Sequence, residues 1–489
     1  MKVVLTVDNL VWLDFASLEK HDAACFKKIR KAFTYRNPDY TKTQRLGYST
    51  EGIPQLIKSY TKSKNMIGFS RGGLKKLKKI LHQCGHQVKI HDHRLSFPPV
   101  SFPSKIKLRP EQVPSVQAML EKQQGIVRGP CSSGKTVMLL QAIADAKQPA
   151  LVVVWDTNHQ KQWIEAATDP KLLNLKSHQL GGVGGVFKKP KLGVLNICMQ
   201  QSLWREHNRD FFVDRVGFIG ADEVQKFGAR TFQDVVNAFP AKYRVGVSAN
   251  ERRKDGKEFL IYDSFGKIIN VIPDTNVGSR MKAKIFLVPT QFTSDSYEWS
   301  FNWTRLLQEL ADDSDRNKLL LKMVKESVEQ NKLCLILTER RSQALYLKFK
   351  LKHLRTGFLV GKVPTKAIRE SSWPGAWKEY MSTYDADKEF SRVVKKGESR
   401  ELDVIIATQK GDVGVNIKTI DHLYITTPTG GNTERFNQQK GRVERWHEGK
   451  AIPRVFYLWD VKVDRLREAG NTVMKTFPGC TVLRVNKSS

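Results

Sequence analysis

Gly129-Pro130-Cys131-Ser132-Ser133-Gly134-Lys135-Thr136 follows the short apolar run Ile126-Val127 and precedes a helical stretch beginning near Val137. The octapeptide fits GxxxxGK[ST], and it restricts the fold because such a loop works only where a buried strand turns into a helix whose N-terminus faces an anion. Backbone N–H groups at Gly129, Ser132, Ser133 and Gly134 then cradle phosphate, Lys135 meets the β and γ phosphates of ATP, and Thr136 ligates Mg2+.

The surrounding pattern agrees with that context. From Leu108 to about Asn276, strand-length apolar runs at Ile126-Val127, Ala150 to Val154, Val194 to Cys198, Val216 to Ile219 and Arg244 to Val247 alternate with helical stretches. Fully apolar runs of this length imply a parallel sheet covered on both faces. A second series follows from Met281: Lys332 to Leu337, Phe358 to Val360, Val404 to Ala407, His422 to Thr426 and Arg454 to Trp459. Two α/β layers are expected, spanning 104–276 and 277–489.

Residues 1–103 read as a third, small basic α/β domain. Val3, Leu5 and Val7 alternate like a strand, Ala23 to Phe33 reads as a helix, and Gln87 to His91 as a further strand. Between them, Leu74, Leu77, Ile80, Leu81 and Cys84 keep helical spacing, while Lys75, Lys76, Lys78 and Lys79 fill the opposite face as a candidate DNA contact. Leu95 to Lys107, with three prolines, reads as a linker.

Asp222-Glu223 ends the run Val216 to Ile219, at the strand end where open α/β sheets bind ligands. Asp222 is expected to hold Mg2+ and Glu223 to polarise the attacking water; the alternative is a helix N-cap. Some 300 residues beyond the loop, Gln438-Gln439-Lys440-Gly441-Arg442-Val443-Glu444-Arg445 carries arginines at i and i+3. They suit arginine fingers reaching a nucleotide from a second domain, although such arginines also occur on solvated helix faces.

Charge points to the partner. Lys and Arg outnumber Asp and Glu by 82 to 49, a formal +33 in 489 residues, which favours a polyanion and nucleic acid first. No run is long enough to span a bilayer, and the early Asp8 argues against a signal peptide, so a cytoplasmic protein without membrane contact is expected. Six cysteines without a CxxC pair suit a reducing compartment.

Together these motifs resemble superfamily 2 helicases, in which two RecA-like domains sandwich ATP. Leu108-Arg109-Pro110-Glu111-Gln112 looks like the adenine-reading segment, with Arg109 and Gln112 at the nucleotide. Asp222-Glu223-Val224-Gln225 is similar to the DExH/DExQ box. Gly246 to Asn250, followed by Arg253 to Gly256, resembles the segment coupling hydrolysis to DNA, implying coupling roles for Gln225, Ser248, Ala249 and Asn250. Cys198 to Leu203 resembles a DNA-contact motif with Gln201 and Ser202, and Ala407-Thr408 with Gly414-Val415-Asn416 resembles motif V. Gln438 to Arg445 matches QxxGRxxR, implying catalytic roles for Gln438, Arg442 and Arg445 beside Lys135, Asp222 and Glu223. Trp155-Asp156 replaces the usual Pro-Thr, so the family's DNA contact is not expected there. Gln225, Asn250 and Asn416 replace the usual residues with other polar ones, so altered coupling rather than lost activity is expected.

The small basic domain and Gly68 to Leu74 (GFSRGGL) resemble UvsW-type phage helicases, relatives of the XPB group. That resemblance implies a monomeric, ATP- and Mg2+-dependent DNA helicase or translocase acting on double-stranded and branched DNA, and on single strands, in recombination, repair and replication. A DExH-type RNA helicase and a nucleic-acid-binding protein with a degenerate ATPase are the alternatives. Three smaller features carry blander readings: Cys84, His86, His91 and His93 as helix-end and strand positions rather than zinc ligands, Trp373 and Trp377 as packing anchors, and Gly181 to Gly185 as a flexible turn.

Overall fold

The computed structural model describes residues 1–489 except 131–132, 227–228, 250–254, 274–280, 295–301, 409–416, 429–432 and 484–489. The chain divides into two compact units, Met1–Val277 and Gly278–Ser489.

Among its described residues the first unit carries two large sheets and a two-stranded ladder. Its larger sheet runs Phe187–Lys191, Leu180–Gly184, Leu195–Met199, Ala150–Val154, Phe218–Asp222, Tyr243–Ser248, Gln124–Arg128 and Ile268–Val271, parallel throughout except for the hairpin at the first edge. Ala150–Val154 is buried at every position, as a strand with helices on both faces must be. Each fully buried Val or Leu contributes about 1.5–3 kcal/mol, so five-residue strands suffice. The order sets Tyr243–Ser248 between the loop-bearing strand and Phe218–Asp222. Ser248 thereby ends between the phosphate loop and the carboxylates.

Leu180–Gly184 corrects the flexible-turn reading of the glycines. They form a strand because a Cβ on Gly181 would meet Asn196 Oδ1 at 2.2 Å and Lys191 O at 2.3 Å. Close backbone approach, not mobility, requires glycine there.

The smaller sheet, ordered Tyr60–Ser63, Met66–Ser70, Leu10–Asp14, Lys2–Val7, Gln87–Asp92, packs against helices Ala23–Ala32 and Leu74–Gln83. GFSRGGL attaches it to the larger sheet. Arg71, 2% exposed, donates to Ala241 O at 2.6 Å, Lys242 O at 3.0 Å and Gln124 Oε1 at 3.1 Å. A Cβ on Gly72 would lie 2.2 Å from Tyr262 O. Arg244, also buried, reaches back to Asn9 O at 2.9 Å. Burial pushes the guanidinium pKa of both arginines down, yet carbonyl oxygens surround each charge. The expected linker is pinned as well: Leu95 N bonds Pro240 O, Val100 N bonds Lys147 O and Lys105 N bonds Leu172 O. These bonds hold the segment to the sheet domain.

The second unit is one parallel sheet, Thr356–Leu359, Val404–Thr408, Cys334–Thr338, His422–Ile425, Arg454–Asp460, Lys284–Thr290, Thr481–Val482. Arg316 and Asp460 form a fully buried ion pair at 2.8 Å beneath it, with Thr290 Oγ1 donating to the same carboxylate at 2.5 Å. Trp377 stacks on Phe349 with centroids 5.9 Å apart, and Trp373 packs on the same core, as the packing reading expects.

Candidate functional site

In the first unit the polar groups converge at the C-terminal edge of the larger sheet. The loop climbs from Gln124–Arg128 to Gly134, whose φ of +80° admits the turn into helix Lys135–Ala146. Lys135 is 8% exposed and folds its ammonium onto Gly129 O and Pro130 O, both at 3.2 Å, with Glu223 Oε1 at 3.9 Å. Cys131 and Ser132 lie outside the described residues.

Arg109 and Gln112 brace the loop from behind. Arg109 Nη2 and Gln112 Nε2 each donate to Ser133 O at 2.8 Å, and Gln112 Oε1 accepts from Arg109 N at 2.9 Å. Gln112 is 3% exposed. Its amide is thus engaged with the loop, where the sequence suggested a contact with the base.

Asp222 is held through one of its two oxygens. Oδ2 accepts from His159 Nε2 and Trp163 Nε1, each at 3.0 Å, and from Thr136 Oγ1 at 3.5 Å. Burial alone would raise its pKa, but the His159 bond and the charges of His159 and Lys135 hold it below the ordinary carboxylate value. For His159 burial acts downward, and the Asp222 bond and charge prevail, lifting its pKa. Oδ1 of Asp222 and Oγ of Ser133 are buried without a hydrogen-bond partner. Orphaned buried oxygens are rare and costly, and here they flank Thr136 and the helix N-terminus. This donor set of carboxylate and hydroxyl oxygens suits a hard divalent cation beside phosphate.

His159 and Trp163 were missed by the sequence reading. They sit on helix Thr157–Thr168, N-capped by Asp156, whose Oδ1 accepts from His159 N at 2.8 Å. The unusual Trp155-Asp156 thus starts the helix that presents both donors to Asp222. The available signal was an i, i+4 His–Trp pair behind an N-cap, which does not name its partner.

Glu223 has φ of +55°, uncommon for a non-glycine residue and found here directly after a strand. Its carboxylate accepts from Gln225 Nε2, and Gln225 Oε1 accepts from Ser248 Oγ at 2.5 Å. The unusual Gln225 therefore links the acidic pair to the neighbouring strand end. Ala249 follows; Asn250 and residues 251–254 lie outside the described residues. Gln201, exposed, donates to Trp155 O at 3.1 Å, and Ser202 packs on Gly184 in the short helix Gln200–Leu203 at the same edge.

In the second unit, Gln438 and Arg442 lie on helix Thr433–Val443. Arg445 lies beyond its end, so the two arginines do not share one helix. Both arginine side chains are half-buried. The turn after the helix is held by main-chain contacts. Glu444, 2% exposed, accepts from Lys440 at 2.6 Å and Ala283 N at 3.2 Å, while its carbonyl accepts from Met281 N at 2.7 Å. Lys450, 7% exposed, donates to Lys418 O and Val443 O at 2.7 Å and to Arg445 O at 3.2 Å. Burial lowers its pKa to about 8. Thr408, 5% exposed, ends strand Val404–Thr408; Gly414, Val415 and Asn416 lie outside the described residues.

The lysine face of helix Leu74–Gln83 needs a correction. Lys75 and Lys79 are exposed and Lys78 is half-buried, but Lys76 turns inward. Its ammonium lies 4.6 Å from the Phe33 ring centroid, donates to Tyr35 Oη at 3.1 Å and bonds Ala32 O. It serves packing. His86 pairs with Asp22 at 3.1 Å, the residue that N-caps Ala23–Ala32.

Residues 105–253 match the family described as Type III restriction enzyme, res subunit, and residues 315–447 match the helicase conserved C-terminal domain. The chain belongs to the superfamily 2 helicases. It is 24% identical over 375 residues to the DNA 3'-5' translocase XPB2 of Sulfurisphaera tokodaii, covering 73% of this chain and 82% of that one. A Halobacterium salinarum protein named as a Rad25-type DNA 3'-5' helicase is 23% identical over 374 residues, 76% of this chain; the match spans 57% of that relative's length. The solved structure of yeast Dbp5 bound to RNA and ADP BeF3 aligns with a TM-score of 0.52 at 13% identity, covering 77% of this helicase and 94% of Dbp5. T4 UvsW aligns over 99% of both chains at 14% identity with a TM-score of 0.44. The RecA-like architecture is thus shared with a solved helicase structure. No helix among the described residues of this helicase is long and apolar enough to cross a membrane.

Proposed function

We propose that this helicase hydrolyses ATP to move along or unwind DNA, with double-stranded and branched DNA, including forks and four-way junctions, as its substrates. The carrying observation is Asp222: a buried carboxylate with one oxygen held by His159, Trp163 and Thr136 and the other left open beside the phosphate loop. Thr136 and Asp222 would hold Mg2+, which neutralises phosphate charge when bound. Lys135 leaves its resting carbonyls for the phosphates, Glu223 orients the attacking water, and Gln438, Arg442 and Arg445 stabilise the charge that develops in transfer. Gln225 and Ser248 relay the state of Glu223 to strand Tyr243–Ser248. Residues 1–103 act as the DNA-binding domain, 104–276 as the loop-bearing layer and 277–489 as the arginine-bearing layer.

The formal charge of +33 supports a polyanionic track, and affinity should fall steeply with salt. The relatives named as DNA 3'-5' enzymes support DNA over RNA. ATPase and unwinding assays on single-stranded, duplex, forked and four-way DNA beside RNA test the reading. Greatest stimulation by branched DNA is expected; stimulation by RNA alone, or turnover that survives Lys135→Ala, overturns it.

A further inference from the structure

Between helix Ala23–Ala32 and strand Tyr60–Ser63 the chain leaves the small sheet for an excursion, residues 34–58. It comprises a two-stranded ladder, Thr34–Arg36 with Leu56–Lys58, and helix Pro38–Arg45. The helix buries none of its residues. Its sequence, PDYTKTQR, is polar almost throughout, so it contributes no residue to a core.

Its mounting is nevertheless firm. Asn37, 4% exposed, caps the helix through Asp39 N at 3.1 Å and donates to Pro54 O at 2.8 Å. Tyr35 stacks on Phe259 with centroids 4.1 Å apart, and its hydroxyl bonds Asp263 Oδ1 at 3.0 Å. Asp39 pairs with Lys257, and a Cβ on Gly256 would touch Pro38 at 3.4 Å. The excursion is therefore seated on the segment directly after Asp255-Gly256, which resembles the part of the family that couples hydrolysis to DNA.

The outer surface has a specific composition. Arg36, Pro38, Thr41, Lys42, Arg45 and Leu46 line a groove of about 450 Å3. Asp39, the acidic residue of this helix, is occupied by Lys257, and Arg36, Lys42 and Arg45 form no ion pair among the described residues. The helix stops at a left-handed glycine, Gly47 with φ of +72°, through Gly47 N to Gln44 O at 3.1 Å and Tyr48 N to Thr43 O at 3.2 Å. That cap commonly packs the residue after the glycine back onto the last turn. Here Tyr48 is 70% exposed and Leu46 58%. Three free cations around an apolar floor, with an aromatic ring projecting beside them, combine phosphate attraction with a stacking platform.

We propose that the excursion binds one strand of nucleic acid, with Arg36, Lys42 and Arg45 against its phosphates and Tyr48 against an unpaired base. A duplex keeps its bases stacked and offers Tyr48 no ring face, so the occupant is a single strand. The inference rests on the nucleic-acid reading above and adds a single-strand site on the small domain.

The test uses the full chain and a labelled 20-nucleotide oligo-dT. Lys42→Glu with Arg45→Glu should weaken binding at least tenfold and flatten the slope of log affinity against log salt by about 1.4, the loss of two single-strand phosphate contacts. Tyr48→Ala should weaken it about five- to hundred-fold. ATPase without nucleic acid should remain unchanged in both. On the unaltered chain, oligo-dT carrying photoreactive 4-thiothymidine should crosslink within residues 36–48. Unchanged affinity and salt slope in the charge-reversed chain, or crosslinks confined to other residues, would overturn the proposal. Absence of nucleic-acid-stimulated ATPase in the unaltered chain would instead strike the proposed function, since oligo-dT binding and crosslinking are read without turnover.

Discussion

The two units hold their charged groups by different means. In Met1–Val277, Asp222 is positioned by side chains, with His159, Trp163 and Thr136 on one oxygen and Lys135 nearby as a charge. In Gly278–Ser489, the turn bearing Arg445 is positioned mainly through the main chain, by carbonyls gathered around Lys450 and amides bonded to Glu444, with one side-chain pair between Lys440 and Glu444. Side-chain networks tune charge and respond to protonation. Carbonyl cages fix the position of the backbone that carries a side chain.

That contrast breaks first at Arg445. Arg445→Ala should lower kcat about 10³- to 10⁵-fold with most ATP affinity retained. Rapid-quench turnover beside nucleotide binding measures it, and a loss below tenfold would remove the arginine from the chemistry.

The second largest effect concerns stability. Arg71→Ala leaves the carbonyls of Ala241 and Lys242 unpaired in a buried seam, and hydrogen bonds to a charge contribute about 1.5–3 kcal/mol each. A lowered urea midpoint is expected for the first unit's transition, with the second unit's transition unmoved. Coincident shifts in both would show that the seam is not local.

Lys450→Met sharpens the comparison further. Losing the charged donor should lower kcat about 10- to 100-fold, equivalent to one charge-assisted hydrogen bond, with little change in ATP affinity. Lys450→Arg should restore part of the rate. An equal loss of affinity and rate would mean that the cage supports the fold rather than the finger.

The smallest effect belongs to the side-chain network. His159 has a raised pKa, so its stabilising pairing with Asp222 is complete below about 6.5 and fades as pH rises through the folded value. Asp222 has a lowered pKa, so its own contribution disappears only in acid, below its ordinary 3.8. Melting temperature of the first unit should therefore decline on the alkaline side of 6.5. His159→Asn should flatten that decline; an identical pH profile would detach the histidine from the carboxylate.

Legibility followed distance along the chain. The phosphate loop was readable because its strand, turn and helix are consecutive. Asp222-Glu223 was readable because both residues end one apolar run. His159 lies 63 residues from its partner Asp222, and Arg71 lies 170 residues from Ala241; no local period marks such pairs. Lys76 was misread for a related reason. Helical spacing places it on the polar side of its own helix, but Phe33 and Tyr35 arrive from another element and turn it inward.

By itself the sequence determined the parallel α/β layers, the phosphate loop, the acidic pair and the excess of positive charge. These follow from burial periodicity, from the few residues a strained loop accepts, and from charge that no packing can remove. Only the tertiary structure decided that Asp222 keeps one oxygen open, that GFSRGGL is a docking seam and that helix Pro38–Arg45 stands uncovered. Polar pairing and exposure depend on which distant backbone arrives beside a side chain, and that is a property of the packed layers rather than of any segment.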